Sequence, residues 1–202
     1  MVGPPVVRRS RGKASPVSRR PAAAILLIVA TLLGSLLAVS PAQARSLPTK
    51  ERWLADTRQA MYGSRAYVQR RAAQGGTKLA VNFDIDNTSL ATYYARGTAV
   101  PVVLRFARYA RTQGVTLLFN TGRERGHLAG VRASLRRVGY VAAEVCGRNH
   151  GETLTHSKQR CRNHFRAEGY TLIANVGNRS TDFTGTGYER AFKLPNYANR
   201  LG

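Results

Sequence analysis

The chain is short of acid. Its 202 residues carry 10 Asp+Glu against 32 Lys+Arg, a formal net charge of +22. Cysteine is nearly absent as well: two residues exclude a disulfide-dense scaffold, and no C-x-x-C pair supports a structural zinc site. No internal repeat and no low-complexity linker interrupts it. Yet 43% of the residues are hydrophobic, which excludes the composition of a disordered chain. The charge surplus implies anionic partners without distinguishing nucleic acid, an anionic envelope polymer or a phosphorylated substrate.

The N-terminal residues 1–44 read as a secretory signal peptide. Arg8, Arg9, Arg11, Lys13, Arg19 and Arg20 form a basic region, and residues 22–39 are apolar except for Thr31, Gly34 and Ser35. Small residues at Pro41-Ala42-Gln43-Ala44 suit cleavage. An uncleaved membrane anchor is the alternative, since 18 residues reach the lower edge of spanning length. Pro21-Ala22-Ala23 follows Arg19-Arg20 poorly for a twin-arginine signal, which favours the general export route, and no cysteine stands near the cleavage site for a lipid anchor. With cleavage, no stable membrane span is expected to remain. Residues 45–202 then form the working domain, 26 basic residues against 10 acidic ones, a net +16. A chain of that size can bury a core without staples. Export would place Cys146 and Cys161 in an oxidising environment, where they either pair as a disulfide or remain two buried thiols.

Apolar spacing predicts one helix over 49–72, through Trp53, Ala60, Met61, Tyr67 and Val68, closed by Gly75-Gly76. Short β runs are expected at 79–83, 115–119, 140–145 and 170–176, with a fifth at 191–194. Helices are expected from Pro101, through Leu128, Val131, Leu135 and Val138, and over 158–168. This alternation predicts an α/β fold: a three-layer α/β/α Rossmann-like parallel sheet. Such sheets bind ligands at the carboxyl ends of their strands, which directs attention to the polar residues after each run. Those are Asp84-Ile85-Asp86-Asn87-Thr88, Asn120-Thr121-Gly122-Arg123, and Gly177 with Asn178-Arg179-Ser180-Thr181-Asp182.

Two carboxylates at i and i+2 leaving a strand repel one another unless a cation or a shared proton intervenes. A hard cation suits such oxygen ligands together with substrate phosphate. A turn capped by Asx hydrogen bonds would produce the same residues.

In this order the motifs resemble those of the haloacid dehalogenase (HAD) superfamily of phosphohydrolases. Asp84-Ile85-Asp86-Asn87-Thr88 is similar to its Asp-x-Asp-x-Thr nucleophile motif, and Asn120-Thr121-Gly122-Arg123 to its second motif. Lys158 fits the third-motif lysine, and Gly177 to Asp182 the fourth, acidic motif. Lys158 to Arg162 resembles the Lys-x-x-x-Arg helix start of the secreted acid phosphatase branch. Phe192-Lys193-Leu194-Pro195-Asn196 resembles the ending of class-B-type acid phosphatases and plant vegetative storage proteins.

The resemblance implies a Mg²⁺-dependent phosphomonoesterase with a small cap. Asp84 would be the nucleophile and Asp86 the general acid/base. Thr121, Lys158, Gly122 and Arg123 would hold the phosphoryl group. Asp84, the backbone carbonyl of Asp86, Asn178 and Asp182 would hold the metal. The substrate implied is a small phosphomonoester, nucleotides included. Asn178 departs from the family's usual Asp and removes a negative ligand. That departure leaves a second class open, a degenerate member serving as a basic binding protein for nucleic acid or anionic polymer.

Single residues admit plainer readings. Lys158 could be a solvated helix-start lysine and Arg123 a surface arginine, or a partner in the neighbourhood of Glu124. Tyr93 and Tyr94 could stack on an aromatic leaving group or simply pack a cap. His127, His150, His156 and His164 show no metal-ligand spacing, with His156 best read as part of a helix cap. Arg162, one turn past Lys158, could orient that lysine or bind phosphate.

Overall fold

Gly63 sits in the left-handed region at φ 74°, and there the expected N-terminal helix breaks in two. Helix α1 spans Lys50–Ala60, capped by the Thr49 hydroxyl, which accepts from the Arg52 amide at 3.3 Å. Helix α2 spans Ser64–Ala73. Trp53, Thr57, Met61, Ser64 and Val68 are all buried, so the apolar stripe continues through the bend and reads in sequence as one helix. The computed structural model describes Val2, Gly3 and residues 46–201. Apart from Val2 and Gly3, the segment 1–44 expected to be a signal peptide lies outside the described residues. From Ser46 on the chain is one compact unit.

Five strands follow: β1 Leu79–Phe83, β2 Thr116–Glu124, β3 Glu144–Arg148, β4 Thr171–Gly177 and β5 Arg190–Lys193. They pair in the order β3-β2-β1-β4-β5, all parallel. Helices α3 Pro101–Thr112, α4 Leu128–Arg137 and α5 Leu154–Ala167 connect them. Every residue of β1 is buried, as a central strand covered on both faces requires.

The topology dictates the layers. The path β1, β2, β3 moves one way across the sheet, whereas β3 to β4 reverses, and right-handed crossovers then put α5 on the face opposite α3 and α4. The core divides accordingly. Val103, Phe106, Val131 and Leu135 pack with Val81, Phe83, Leu117 and Phe119 on one side. On the other, Phe165 of α5 packs with Ala80, Leu118, Leu172 and the two cysteines. This is the three-layer α/β/α arrangement the alternation predicts. The reversal places a crevice beyond the carboxyl ends of β1 and β4.

Three boundaries differ from the sequence expectation. Strand β3 starts at Glu144, because Tyr140 turns inward instead: its ring meets Phe119 edge-on at 5.4 Å and its hydroxyl donates to the Ser89 carbonyl. Strand β2 continues to Glu124, carrying Thr121 and Gly122 within it. Helix α5 starts at Leu154, with the Thr153 hydroxyl accepting from the His156 amide, so Lys158 lies one turn inside the helix. Cys146 of β3 and Cys161 of α5 are bonded, with Cα atoms 5.7 Å apart, which decides between a disulfide and two thiols. The bond ties the helix bearing Lys158 to the sheet edge. No helix among the described residues is long and apolar enough to cross a membrane.

Candidate active site

The Asp84 amide donates to the Val176 carbonyl at 2.8 Å, extending the β1–β4 ladder one step beyond β1. The chain then turns tightly on the Ile85 carbonyl, which accepts from the amides of Thr88, Ser89 and Leu90. Asn87 takes the left-handed conformation, and its amide group is tied on both sides: Oδ1 accepts from the Tyr93 amide and Nδ2 donates to the Leu201 carbonyl. The stretch is a backbone-bonded turn, but no Asp or Asn side chain in it closes an Asx turn; the Ser89 hydroxyl donates back to the Asp84 carbonyl instead.

Asp84 is gripped at both oxygens. Thr88 donates to Oδ2 at 2.9 Å, and Lys158 Nζ donates to Oδ1 at 2.5 Å. The lysine also donates to the Asn120 carbonyl at 2.6 Å and meets Asp182 Oδ1 at 2.8 Å. Lys158 is 3% exposed, so the solvated-lysine reading does not hold. Asn120 completes the clasp by donating through Nδ2 to the Lys158 carbonyl.

Asp182 closes a short turn after β4, Oδ2 accepting from the amides of Asn178 and Arg179 at 3.1 and 2.9 Å. A Cβ on Gly177 would lie 2.5 Å from that oxygen, which explains glycine there. Beneath the turn Arg162 is fully buried. It donates to the carbonyls of Asp182, Thr184 and Thr186 and to Gln159 Oε1. It neither touches phosphate space nor orients Lys158. Of its five N–H donors four are used, three of them on the loop that carries Asp182.

Arg123 binds Asp86 in a two-pronged pair, Nε to Oδ2 at 2.9 Å and Nη2 to Oδ1 at 2.5 Å, and Thr92 adds a third donor at 2.8 Å. Glu124, the other partner considered for Arg123, is taken by Arg148 and His150. Thr121 is buried, and its hydroxyl accepts from the Arg123 amide. A cleft of about 350 Å³ opens here, lined by Asp84, Asp86, Gly122, Arg123, Lys158 and Arg179 among others. Thr121, Asn178 and Asp182 stand behind its wall.

The charges are shifted as this packing demands. Burial pushes the Asp84 carboxyl up to about 6, with the Asp182 charge adding to the rise and Lys158 opposing it. For Asp86, burial is outweighed by the hydrogen bonds from Arg123 and Thr92, and its pKa falls below the usual carboxylate range. For Lys158, burial is outweighed by Asp182 and Asp84, which hold the ammonium form.

Residues 92–200 match the family HAD superfamily, subfamily IIIB (acid phosphatase). The chain belongs to that family. It is a phosphoric monoester hydrolase, and the matched stretch contains Thr121, Lys158, Asn178 and Asp182 while beginning just after the Asp84–Thr88 turn. Among solved structures, the class C acid phosphatase from Bacillus anthracis is 18% identical, with 74% of this chain and 80% of that chain covered, at a TM-score of 0.61. The same enzyme with tungstate bound gives 0.59 at 18% identity, with 74% and 80% covered. At that identity the likeness is one of fold. No curated protein matches the chain.

The phosphatase's donors fit a hard divalent cation. Both amide atoms of Asn178 are buried without a partner, beside two buried carboxylates that share a single lysine. An orphaned amide oxygen next to surplus negative charge is what an oxygen-seeking cation satisfies. Among the described residues no three His, Cys, Asp or Glu side chains converge on a metal, so the set depends on the amide and on backbone oxygen. The Asp86 carboxylate faces Arg123, leaving only its backbone carbonyl for such a role.

Thr92, Arg179 and Thr181 line the cleft without having been singled out in the sequence. The last two lie inside the fourth-motif stretch, and that location was the available signal. Tyr94 stacks on Trp53 at 4.9 Å and donates to the Pro48 carbonyl, so it packs the cap; Tyr93 rests against it, half exposed. The cap itself is small, the irregular stretch 84–100. Thr153, not His156, caps α5: the His156 amide is the donor it satisfies, and the His156 ring faces Glu152, while His164 pairs with Glu144.

Proposed function

We propose that this acid phosphatase is an exported, Mg²⁺-dependent phosphomonoesterase working through an aspartyl-phosphate on Asp84. The observation that carries the reading is the Lys158 ammonium bridging Asp84 and Asp182 at the end of β1, which leaves a held, desolvated carboxylate facing an anion-sized cleft. Asp84 attacks phosphorus in line; its oxygen–phosphorus bond forms as the bond to the leaving alkoxide breaks, and Asp86 delivers the proton to that alkoxide. Water then attacks the phosphorus and gives its proton to Asp86. The Asp84–phosphorus bond breaks, releasing inorganic phosphate.

Arg123 is engaged with Asp86 in the substrate-free state, so an arriving phosphoryl group competes with Asp86 for the guanidinium. Transfer of Arg123 to phosphate relieves the hold on Asp86, letting its pKa rise toward what a general acid needs. Gly122 lets the chain come close: a Cβ there would strike Leu154 at 2.6 Å. Lys158 and the Thr121 strand end supply positive and hydrogen-bonding ground for the phosphoryl oxygens. A divalent cation held by Asp84, Asp182, the Asn178 amide and the Asp86 carbonyl would neutralise charge on the phosphoryl oxygens.

Export is supported by the Cys146–Cys161 bond, which persists in oxidising compartments, together with the leader-like residues 1–44. The small cap leaves the cleft open to varied small phosphomonoesters, nucleotides among them. The direct test is hydrolysis of a generic aryl phosphate with Mg²⁺ by the wild type and by Asp84→Asn. Turnover lost in the variant supports the reading, and turnover indifferent to Asp84 overturns it.

A further inference from the structure

A second cavity, about 650 Å³, lies between the α1–α2 bend, α3 and β5, and shares no lining residue with the catalytic cleft. Arg65, Arg70, Arg105 and Arg190 line it, and no acidic residue does. None of the four has a hydrogen-bonded or ion-paired partner among the described residues. Arg65 lies 4.3 Å over the Tyr109 ring, and Arg190 lies 4.9 Å over that of Tyr67. The nearby acid, Glu189, is consumed by Arg71, which binds it through Nε and Nη2 at 2.7 and 2.8 Å. Four like charges around one hollow repel unless an anion enters. Planar guanidinium forks match phosphate oxygens bidentately.

The hollow also has an aromatic side. Tyr62, at the α1–α2 bend, is 83% exposed, which is unusual for a large ring, while buried Phe106 contributes apolar floor. Gly63 in its left-handed conformation is what presents Tyr62 at that rim. The volume lies within the range of small-ligand sites. We propose that this cavity is a second ligand site, taking a nucleotide that carries several phosphates: the arginines hold the oligophosphate and Tyr62 stacks on the base. Four cations converging on one hollow suit clustered phosphates better than the evenly spaced charges of a polymer. A single-stranded nucleic acid track would also need further exposed rings beyond the cavity, and only Tyr62 lines this one as an exposed ring.

The test is calorimetric titration of the full chain with a β,γ-imido nucleoside triphosphate, alongside inorganic triphosphate and a single-stranded oligonucleotide. The proposal expects affinity for the nucleotide to fall about tenfold or more in Arg65→Gln/Arg105→Gln, and measurably in Tyr62→Ala, with aryl phosphate turnover at the wild-type level. All three side chains are exposed, and a thermal melt verifies that the variants fold. Unchanged nucleotide affinity in the double variant overturns the site. Equal affinity for inorganic triphosphate overturns base recognition by Tyr62. Tighter binding of the oligonucleotide than of the nucleotide overturns the ligand class in favour of nucleic acid.

Discussion

Asp86 and Arg123, 37 residues apart, face each other across the cleft as a bidentate ion pair at 2.5 and 2.9 Å. The pair sets the resting charge of the turn that follows β1. It keeps Asp86 ionised and out of contact with Asp84, whose carboxylate belongs to Lys158.

Arg123→Ala removes the group that most lowers the Asp86 pKa. Burial is then opposed only by the Thr92 hydrogen bond and the charge of Lys158, and the pKa rises. The limb of the pH–rate profile on which Asp86 loses its proton should move to higher pH. KM for an aryl phosphate should also rise about tenfold, since one phosphate contact is lost. A profile that stays in place, with KM unchanged, would place Arg123 outside catalysis.

Asp84 has a pH signature of its own in the metal-free protein. Its ordinary value is 3.8 and the fold raises it to about 6. A carboxyl raised in the fold contributes stability that is fully present below pH 3.8 and lost as pH rises through about 6, because the fold binds a proton the unfolded chain has released. Asp84→Asn should therefore remove that loss and gain roughly 1–3 kcal/mol at pH 7 in chelator. Urea melts at pH 4 and 7 measure it; equal stability of variant and wild type at both would refute the charge conflict.

Lys158→Met leaves two buried carboxylates without their cation. Breaking such a pair costs about 3–5 kcal/mol. The loss should be largest at neutral pH and smaller near pH 4, where Asp84 takes a proton. Denaturant midpoints across that interval are the measurement, and a pH-independent loss would point to packing instead of charge.

Asn178→Asp restores a negative ligand where the orphaned amide now stands. The Mg²⁺ concentration for half-maximal turnover should fall about tenfold, the scale of a ligand-level change. An unchanged metal requirement would mean that Asn178 lies outside the metal site.

Cys146→Ser with Cys161→Ser opens a link spanning 15 residues. A loop of that length is worth about 3 kcal/mol in the chain-entropy account. Because the bond anchors α5, turnover should fall along with stability, by thermal melt and aryl phosphate assay in parallel.

Much of this was legible along the chain. The α3 face of Val103, Phe106, Ala107 and Ala110 is buried as its spacing indicates, and β1 ends at Phe83, just before Asp84, as the apolar run does. Motif order along the chain points to Asp84, Asp86, Lys158 and Asp182. Such features are local: helix faces, strand ends and turn residues are written within a few positions of one another.

What only the tertiary structure decided was who faces whom. Lys158 and Asp84 are 74 residues apart, and nothing near either names the other as its partner. Arg123 and Asp86 meet only because β2 lies beside β1, and Arg162 spends its donors on a loop 20 to 24 residues downstream. Helices α1 and α2 divide at a glycine that leaves the apolar stripe unbroken. The acid shortage visible at the outset acquires a location in the same way. With so few carboxylates, the topology assigns Asp84 and Asp182 to one lysine and leaves four arginines around a hollow with none. Burial makes those assignments binding, because a charge removed from water must take whatever partner the fold brings within reach.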